Sequence, residues 1–261
     1  METETGWNQF KGKETPSTVE IHESFFRTVS KNSEILDFGC AWGRVAFQLQ
    51  KLGYNVTGFD LNKKAVDTAI ESAKLCGNTG GKVKFDTANA MDLPYTDESF
   101  DACIIQAFLT TIISPLDRIK VLKEAYRVLK KNGILYMADF GLNWNNLHYR
   151  ELYRRDYLST MELGTFIVKD DSKAPGEDLF TVHHYTRKEL VDLVRDFNVE
   201  NFQETLFTTF HGNITKGYII IARKSWNHQE YIRYIIKDAV AIIIKLFFRN
   251  IYIYTYKIFI S

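Results

Sequence analysis

Two carboxylates, each closing a short apolar segment, are the first residues with chemistry to offer. Asp37 lies in Glu34-Ile35-Leu36-Asp37-Phe38 and is followed at once by Gly39-Cys40-Ala41-Trp42-Gly43. A tight strand-to-helix turn uses glycine so that backbone N–H groups can approach a ligand closely. A carboxylate beside such a turn suits a cationic ligand, for example an α-amino group, and is badly placed next to a pyrophosphate. The turn is also wrong for a dinucleotide, because Ala41 and Arg44 stand where G-x-G-x-x-G requires glycine, and no Gly-Lys-Ser/Thr marks a P-loop. The second acid, Asp60, ends Val56-Thr57-Gly58-Phe59. An acid at that point can accept hydrogen bonds from both hydroxyls of a ribose; otherwise it serves as a helix-start acid favoured by the dipole. The third feature is the pair His183-His184, followed by His211 further on. Histidine is the side chain best tuned to remove a proton near neutral pH, although such pairs more commonly act as hydrogen-bonding scaffold.

These residues need elements to hold them. Apolar runs over 34–38, 55–59, 83–85, 102–106 and 134–140 alternate with helix-like stretches over 43–52, 62–75 and 116–129, the signature of βαβ units in a parallel sheet. The spacing predicts a helix over 16–29 before the first strand and a buried face at Leu116, Ile119, Leu122, Tyr126 and Leu129. Gly53 ends one helix and Asn62 caps the next. Gly77 to Gly81 makes a loop, and Asn132-Gly133 turns the chain into its fifth strand. Thr186 with Glu189 three residues on forms a capping box for a helix to about Phe197. Runs at 202–210 and 217–222 then close the sheet as an antiparallel pair around 211–213. Residues 141–185 interrupt this order as an insertion rich in Tyr, Arg, Asn and Glu.

ILDFGCAWGR, VTGFDLN, ANAMDLPYTDESFD and EAYRVLKKNGILYMADF follow one another in the chain. In that order and spacing they resemble the successive motifs of class I S-adenosylmethionine-dependent methyltransferases, particularly the small-molecule (type 11) group. The resemblance is strong over residues 35–140 and looser in the flanks to Lys224. It implies a Rossmann-like α/β sheet flanked by helices, mostly parallel with an antiparallel last strand, and with an inserted cap segment. It also implies S-adenosylmethionine as methyl donor and S-adenosylhomocysteine as product. Under it, Asp37 faces the methionine amino group, with Gly39, Ala41 and Gly43 lining the methionine side. Asp60 takes the ribose, Leu61 packs beside the adenine, Asn89 and Ala90 border the adenine edge, and Gln106 lies beside the sulfonium. Two positions depart from the family pattern: Ala41 replaces the middle glycine, and Asn89 replaces a common acid.

The acceptor side is expected from segments overhanging the strand ends. Trp7 and Phe10 would form a lid, while Tyr149, Tyr153, Glu162 and His211 would line the substrate, and His183 or His184 would act as base or orient the acceptor. Glu162 would either pair with Arg154 or Arg155 or hold a charged acceptor. Methyl transfer is an in-line displacement that needs alignment and sometimes proton removal. No metal is expected, since no His/Asp/Glu set has ligand spacing in the sequence.

Lys+Arg 33 against Asp+Glu 32, a net charge of +1, gives no electrostatic reason to expect nucleic acid. An RNA-modifying methyltransferase is therefore the second reading, and a non-catalytic cofactor-binding scaffold the third. Three scattered cysteines without a C-x-x-C pair, and a polar N-terminus, fit a cytoplasmic protein. The sequence divides into a domain over 1–224, with core 33–140 and cap 141–185, and a hydrophobic extension over 225–261. That extension holds five basic residues against two acidic ones. Lys245, Arg249 and Lys257 interrupt its apolar run, which argues against a membrane span. An added packing helix or a functionless extension is favoured there over an interfacial helix touching a membrane or partner. Oligomeric state is not legible.

Overall fold

The computed structural model describes residues 20–75, 80–170, 177–208 and 213–225. Helix α1 (Glu23–Thr28) leads into β1 (Glu34–Phe38), α2 (Arg44–Lys51), β2 (Asn55–Asp60), α3 (Lys63–Leu75) and β3 (Val83–Thr87). β4 (Phe100–Gln106), a 3-10 turn at Leu109–Thr111, α4 (Pro115–Val128) and β5 (Leu129–Phe140) follow. Seven strands form one sheet in the order β3-β2-β1-β4-β5-β9-β8, where β8 is Asn198–Thr208 and β9 is Ile214–Arg223. The first five are parallel, and β9 runs antiparallel to both β5 and β8. The expected mostly parallel sheet with an antiparallel last strand is thus present.

The strands are apolar because both faces are covered. Successive residues alternate between two cores, as the two-residue strand repeat requires. Leu36, Cys103, Leu135 and Met137 join the core containing Val121 and Leu122 of α4, while Ile35, Ile104, Ile134 and Tyr136 join the core with Phe25 of α1 and Leu49 of α2. The order of strands reverses between β1 and β4, so their carboxyl ends splay connections to opposite sides and open a crevice. Asp37 and Gln106 both lie at that end.

Three expectations are corrected. α1 starts at Glu23, with His22 as its N-cap, so residues 20–22 are not helical; residues 16–19 lie outside the described residues. The buried face of α4 is Arg118, Val121, Leu122, Ala125 and Val128, whereas Leu116 is 71% exposed and Ile119 is 36% exposed. Leu122 and Leu129 are buried as expected and Tyr126 packs against the same core, so the difference lies at the start of the helix, where Arg118 is the buried residue. Finally, the insertion has structure of its own. It holds α5 (Leu147–Thr160), capped by Asn146, and a separate hairpin of β6 (Thr165–Asp170) and β7 (Glu177–His183). The capping box at Thr186 and Glu189 opens α6 (Arg187–Leu193) as expected. Among the described residues no helix is long and apolar enough to cross a membrane. The extension after residue 225 lies outside them.

Candidate active site

The turn after β1 is built from left-handed residues. Gly39 has φ 64°, Ala41 48° and Gly43 90°. A Cβ on Gly39 would stand 2.3 Å from the Phe108 ring, and one on Gly43 would stand 2.7 Å from Phe85, so neither position tolerates a side chain. Ala41 adopts the conformation a glycine would adopt without penalty, at a cost of roughly 1–2 kcal/mol. Its N–H donates to Asp60 Oδ2 at 2.9 Å, which ties the turn to the end of β2. The departure at Ala41 therefore leaves the shape of the turn intact.

Asp37 is 3% exposed, and its Oδ2 is buried with no hydrogen-bond partner. Burial pushes its carboxyl up to about 7, against the pull of Arg44 and with a further push from Asp60. A buried acceptor left empty is costly, so this oxygen is aimed at something the polypeptide does not supply. Burial also raises the Asp60 pKa, opposed by N–H donors from Asn62, Ala41 and Leu61. Asn62 N–H reaches Oδ1 at 2.8 Å. A carboxylate has about four acceptor sites, so these three donors leave about one of them open to a hydroxyl. Leu61 is exposed beside it, Ala90 is buried, and Asn89 is exposed with its Oδ1 accepting the Met91 N–H at 3.0 Å. Gln106 closes β4, with Ala107 (φ 49°) and Phe108 following. One end of the sheet thus brings together Asp37, Gly39, Ala41, Gly43, Asp60, Leu61, Asn89, Ala90 and Gln106.

The histidines are placed differently. Tyr185 N–H donates to Phe140 O at 2.9 Å and Leu142 N–H to Tyr185 O at 2.7 Å, so residues 183–185 run along the carboxyl end of β5. His184 is buried among Phe140, Tyr149, Tyr153 and Phe166, with ring centroids 5.0–6.0 Å away. Tyr153 Oη accepts the Asn143 N–H at 3.1 Å, so its own hydrogen is free for His184 Nδ1 at 2.8 Å. Burial and the neighbouring His183 bring the His184 pKa down to about 3. His183 is fully buried on the other side, with Nδ1 2.7 Å from Thr165 Oγ1 and Nε2 3.6 Å from Glu189 Oε1. Burial lowers its pKa although Glu189 acts to raise it.

Glu162 does not pair with Arg154 or Arg155. It takes a two-pronged bond from Arg118, at 2.6 and 3.0 Å, and a third from Thr165 Oγ1. Arg155 pairs with Asp156, and Arg154 lies over the Trp144 ring. Folding does bring a His/Glu cluster together, which sequence spacing did not show: Glu162, His183 and Glu189 each offer a ligand atom within 4.8 Å of the others. The Arg118 guanidinium already supplies a positive charge at that cluster. Trp7, Phe10 and His211 lie outside the described residues.

A family model described as a methyltransferase domain matches residues 36–137. The crystal structure of an S-adenosylmethionine-dependent methyltransferase from Methanosarcina mazei is 37% identical, covers 80% of this chain and 100% of its own, and superposes with a TM-score of 0.77. The chain belongs to the S-adenosylmethionine-dependent methyltransferases. Among curated relatives of this methyltransferase, GfsG of Streptomyces halstedii is 38% identical over 123 residues, which is 47% of this chain and 42% of the relative. The 27-O-demethylrifamycin SV methyltransferase of Amycolatopsis mediterranei is 36% identical over 109 residues, 41% of this chain and 39% of the relative. The match thus spans less than half the length of either curated relative.

The residues present fit the methyl donor of this methyltransferase family. The empty, buried Asp37 oxygen suits an ammonium, Asp60 keeps an acceptor site for a hydroxyl, and the turn between them leaves no room for a side chain at Gly39 or Gly43. Three residues of consequence were not singled out from sequence: Phe108, Arg118 and Asp139. Asp139 had a visible signal, an acid inside the otherwise apolar run Ile134 to Phe140. The others look like ordinary surface or core residues until the segments meet.

Proposed function

We propose that the chain transfers a methyl group from S-adenosylmethionine to an O, N or C atom of a small molecule, in the cytoplasm. The unpartnered, buried Asp37 carboxylate oxygen carries this reading. The curated relative named for a rifamycin supports a small acceptor, as does a net charge of +1, too low to gather RNA. Bound at the turn, S-adenosylmethionine supplies a methyl group already activated by its sulfonium. The chain's part is alignment: Asp37 holds the ammonium, Asp60 accepts from a ribose hydroxyl, Leu61, Asn89 and Ala90 border the base, and Gln106 stands at the reacting end.

On the acceptor side, we assign neither histidine the role of base. A group with a pKa of about 3 is a poor proton acceptor near neutral pH. We take the Tyr153 hydroxyl to donate to Nδ1, which puts the ring hydrogen on Nε2 and makes His184 a fixed donor that orients an acceptor, supported by Tyr149 and Tyr153. Glu162 is committed to Arg118 and leaves the set of acceptor ligands. Histidine carbon-bound proton resonances should show His184 unchanged from pH 5 to 8; a titration midpoint near 6.5 would overturn this assignment.

No metal enters the reading, because Arg118 occupies the electrostatic place of a cation at Glu162, His183 and Glu189. Calorimetric titration should show S-adenosylhomocysteine binding that survives dialysis against a chelator, with no binding of NAD. Asp60→Ala removes the ribose acceptor and frees the Ala41 N–H, so affinity should fall about 100-fold or more, two hydrogen-bond equivalents to a charged group. Wild-type affinity in Asp60→Ala, or tight NAD binding, would sink the assignment.

A further inference from the structure

Asp139 is fully buried at the carboxyl end of β5, next to the residue that pairs with Gln106. Its Oδ1 accepts the Phe140 N–H at 2.8 Å and its Oδ2 accepts the Thr110 N–H at 3.1 Å, and Leu109 N–H adds a further bond. Leu109 and Thr110 open the 3-10 turn after β4, so their N–H groups have no partner within the turn. Asp139 therefore caps that turn from a neighbouring strand. The same few residues are gripped twice more. Tyr185 Oη donates to Leu109 O at 2.7 Å, and Thr110 Oγ1 donates to His183 O at 2.9 Å.

A clamp of this strength has something to oppose. Ala107, immediately before the turn, sits at φ 49°, a conformation that an alanine adopts only at a cost. The result of holding it is visible at Phe108. The ring lies directly on Gly39, where a Cβ would stand 2.3 Å away. Gly39 is the first residue of the turn that carries the methyl-donor site, and Gln106 lies at the other end of the clamped segment.

We propose that Asp139 is a positioning residue of the methyl-donor site: by capping the Leu109–Thr111 turn it fixes Phe108 against Gly39 and Gln106 at the reacting end. The proposal rests on the reading of the turn after β1 as the S-adenosylmethionine site. Asp139 itself touches neither donor nor acceptor. Only a carboxylate can accept on both oxygens, so Asp139→Asn sets an amide N–H against a backbone N–H.

The test uses the full chain and two readouts: hydrogen exchange of the segment 107–112 and calorimetric binding of S-adenosylhomocysteine. In Asp139→Asn, exchange of 107–112 should rise at least about tenfold with α2 and α3 unchanged, and affinity should fall about tenfold, one charge-assisted bond. Adding Ala107→Gly, which removes the strain that the clamp opposes, should recover about threefold of that affinity. A merely structural role would speed exchange throughout the sheet and gain nothing from the glycine. Should Asp139→Asn fail to fold, Tyr185→Phe removes one clamp bond and keeps the ring, with about a threefold loss expected. Wild-type affinity within twofold in the folded variants, or unchanged exchange at 107–112, overturns the proposal. Failure of the wild type to bind S-adenosylhomocysteine sinks the donor reading instead, and the positioning role with it.

Discussion

Asp37→Asn should make the ligand-free protein more stable at pH 8 while abolishing its binding of S-adenosylhomocysteine. The carboxylate is buried, one oxygen has no partner, and its pKa stands at about 7 against 3.8 for the unperturbed group. The difference between the two values is on the order of 4 kcal/mol of stability withheld when the group is ionised. The sign follows from the raised value. Stability is fully present below about pH 4, where Asp37 is protonated in folded and unfolded chains alike, and is lost as pH rises through about 7. Asp139, also raised to about 7, adds loss in the same window. The asparagine keeps an acceptor and sheds the charge, so the variant should lose less stability between pH 4 and 7, with Asp139's share remaining. Thermal melts at pH 5 and pH 8 measure this. The wild type should melt lower at pH 8 than the variant; equal melting temperatures there would show that the carboxylate carries no such cost. The cost is the counterpart of function, since an ammonium placed at the empty oxygen compensates the charge.

Arg118→Met should be the most damaging substitution outside the donor site. The guanidinium is almost wholly buried and makes bonds to Ile112 O, Ile113 O and both Glu162 oxygens, with the Tyr185 ring 5.3 Å away. It joins α4 to the loop after α5, and so fastens the insertion to the core. Burial works to raise the Glu162 pKa, but Arg118, His183 and Thr165 together outweigh it and the group lies below its usual range. Removing the arginine strands that carboxylate beside Glu189 and leaves two carbonyls without a donor. Breaking one side of a buried pair costs about 3–5 kcal/mol, a fall of roughly 10 °C in melting temperature for a domain of this size. Arg118→Met/Glu162→Gln should recover a good part of the loss, because the stranded charge is gone. If the double variant melts no higher than the single one, the cost lies in packing and not in the ion pair.

Asp37, Gly39, Gly43 and Asp60 were legible from sequence because each lies within a few residues of a strand end, where position along the chain nearly fixes position in space. Strand alternation and helix caps such as Asn62 and Thr186 were legible for the same reason. Ala41 was legible as a small departure, but what holds it in place was not, since that is an N–H reaching Asp60 nineteen residues later. His183 and His184 show the limit most clearly. Their residue type suggested a base, yet burial among Phe140, Tyr149, Tyr153 and Phe166, which come from three other segments, together with the neighbouring His183 removes the basicity of His184. Arg118 shows the same limit from the other side, since nothing in the sequence singles it out and it is buried.

By itself, the sequence determined the parallel sheet and the turn after the first strand, because those rest on local spacing and strand-end geometry, while the methyl donor followed from the resemblance of its successive motifs to the methyltransferase family. Tertiary structure decided which buried carboxylate oxygen stays unpaired, which histidine loses its basicity and what holds the turn at Leu109–Thr111. Those properties come from desolvation and from partners far apart in the chain. Neither has any trace in residue type alone.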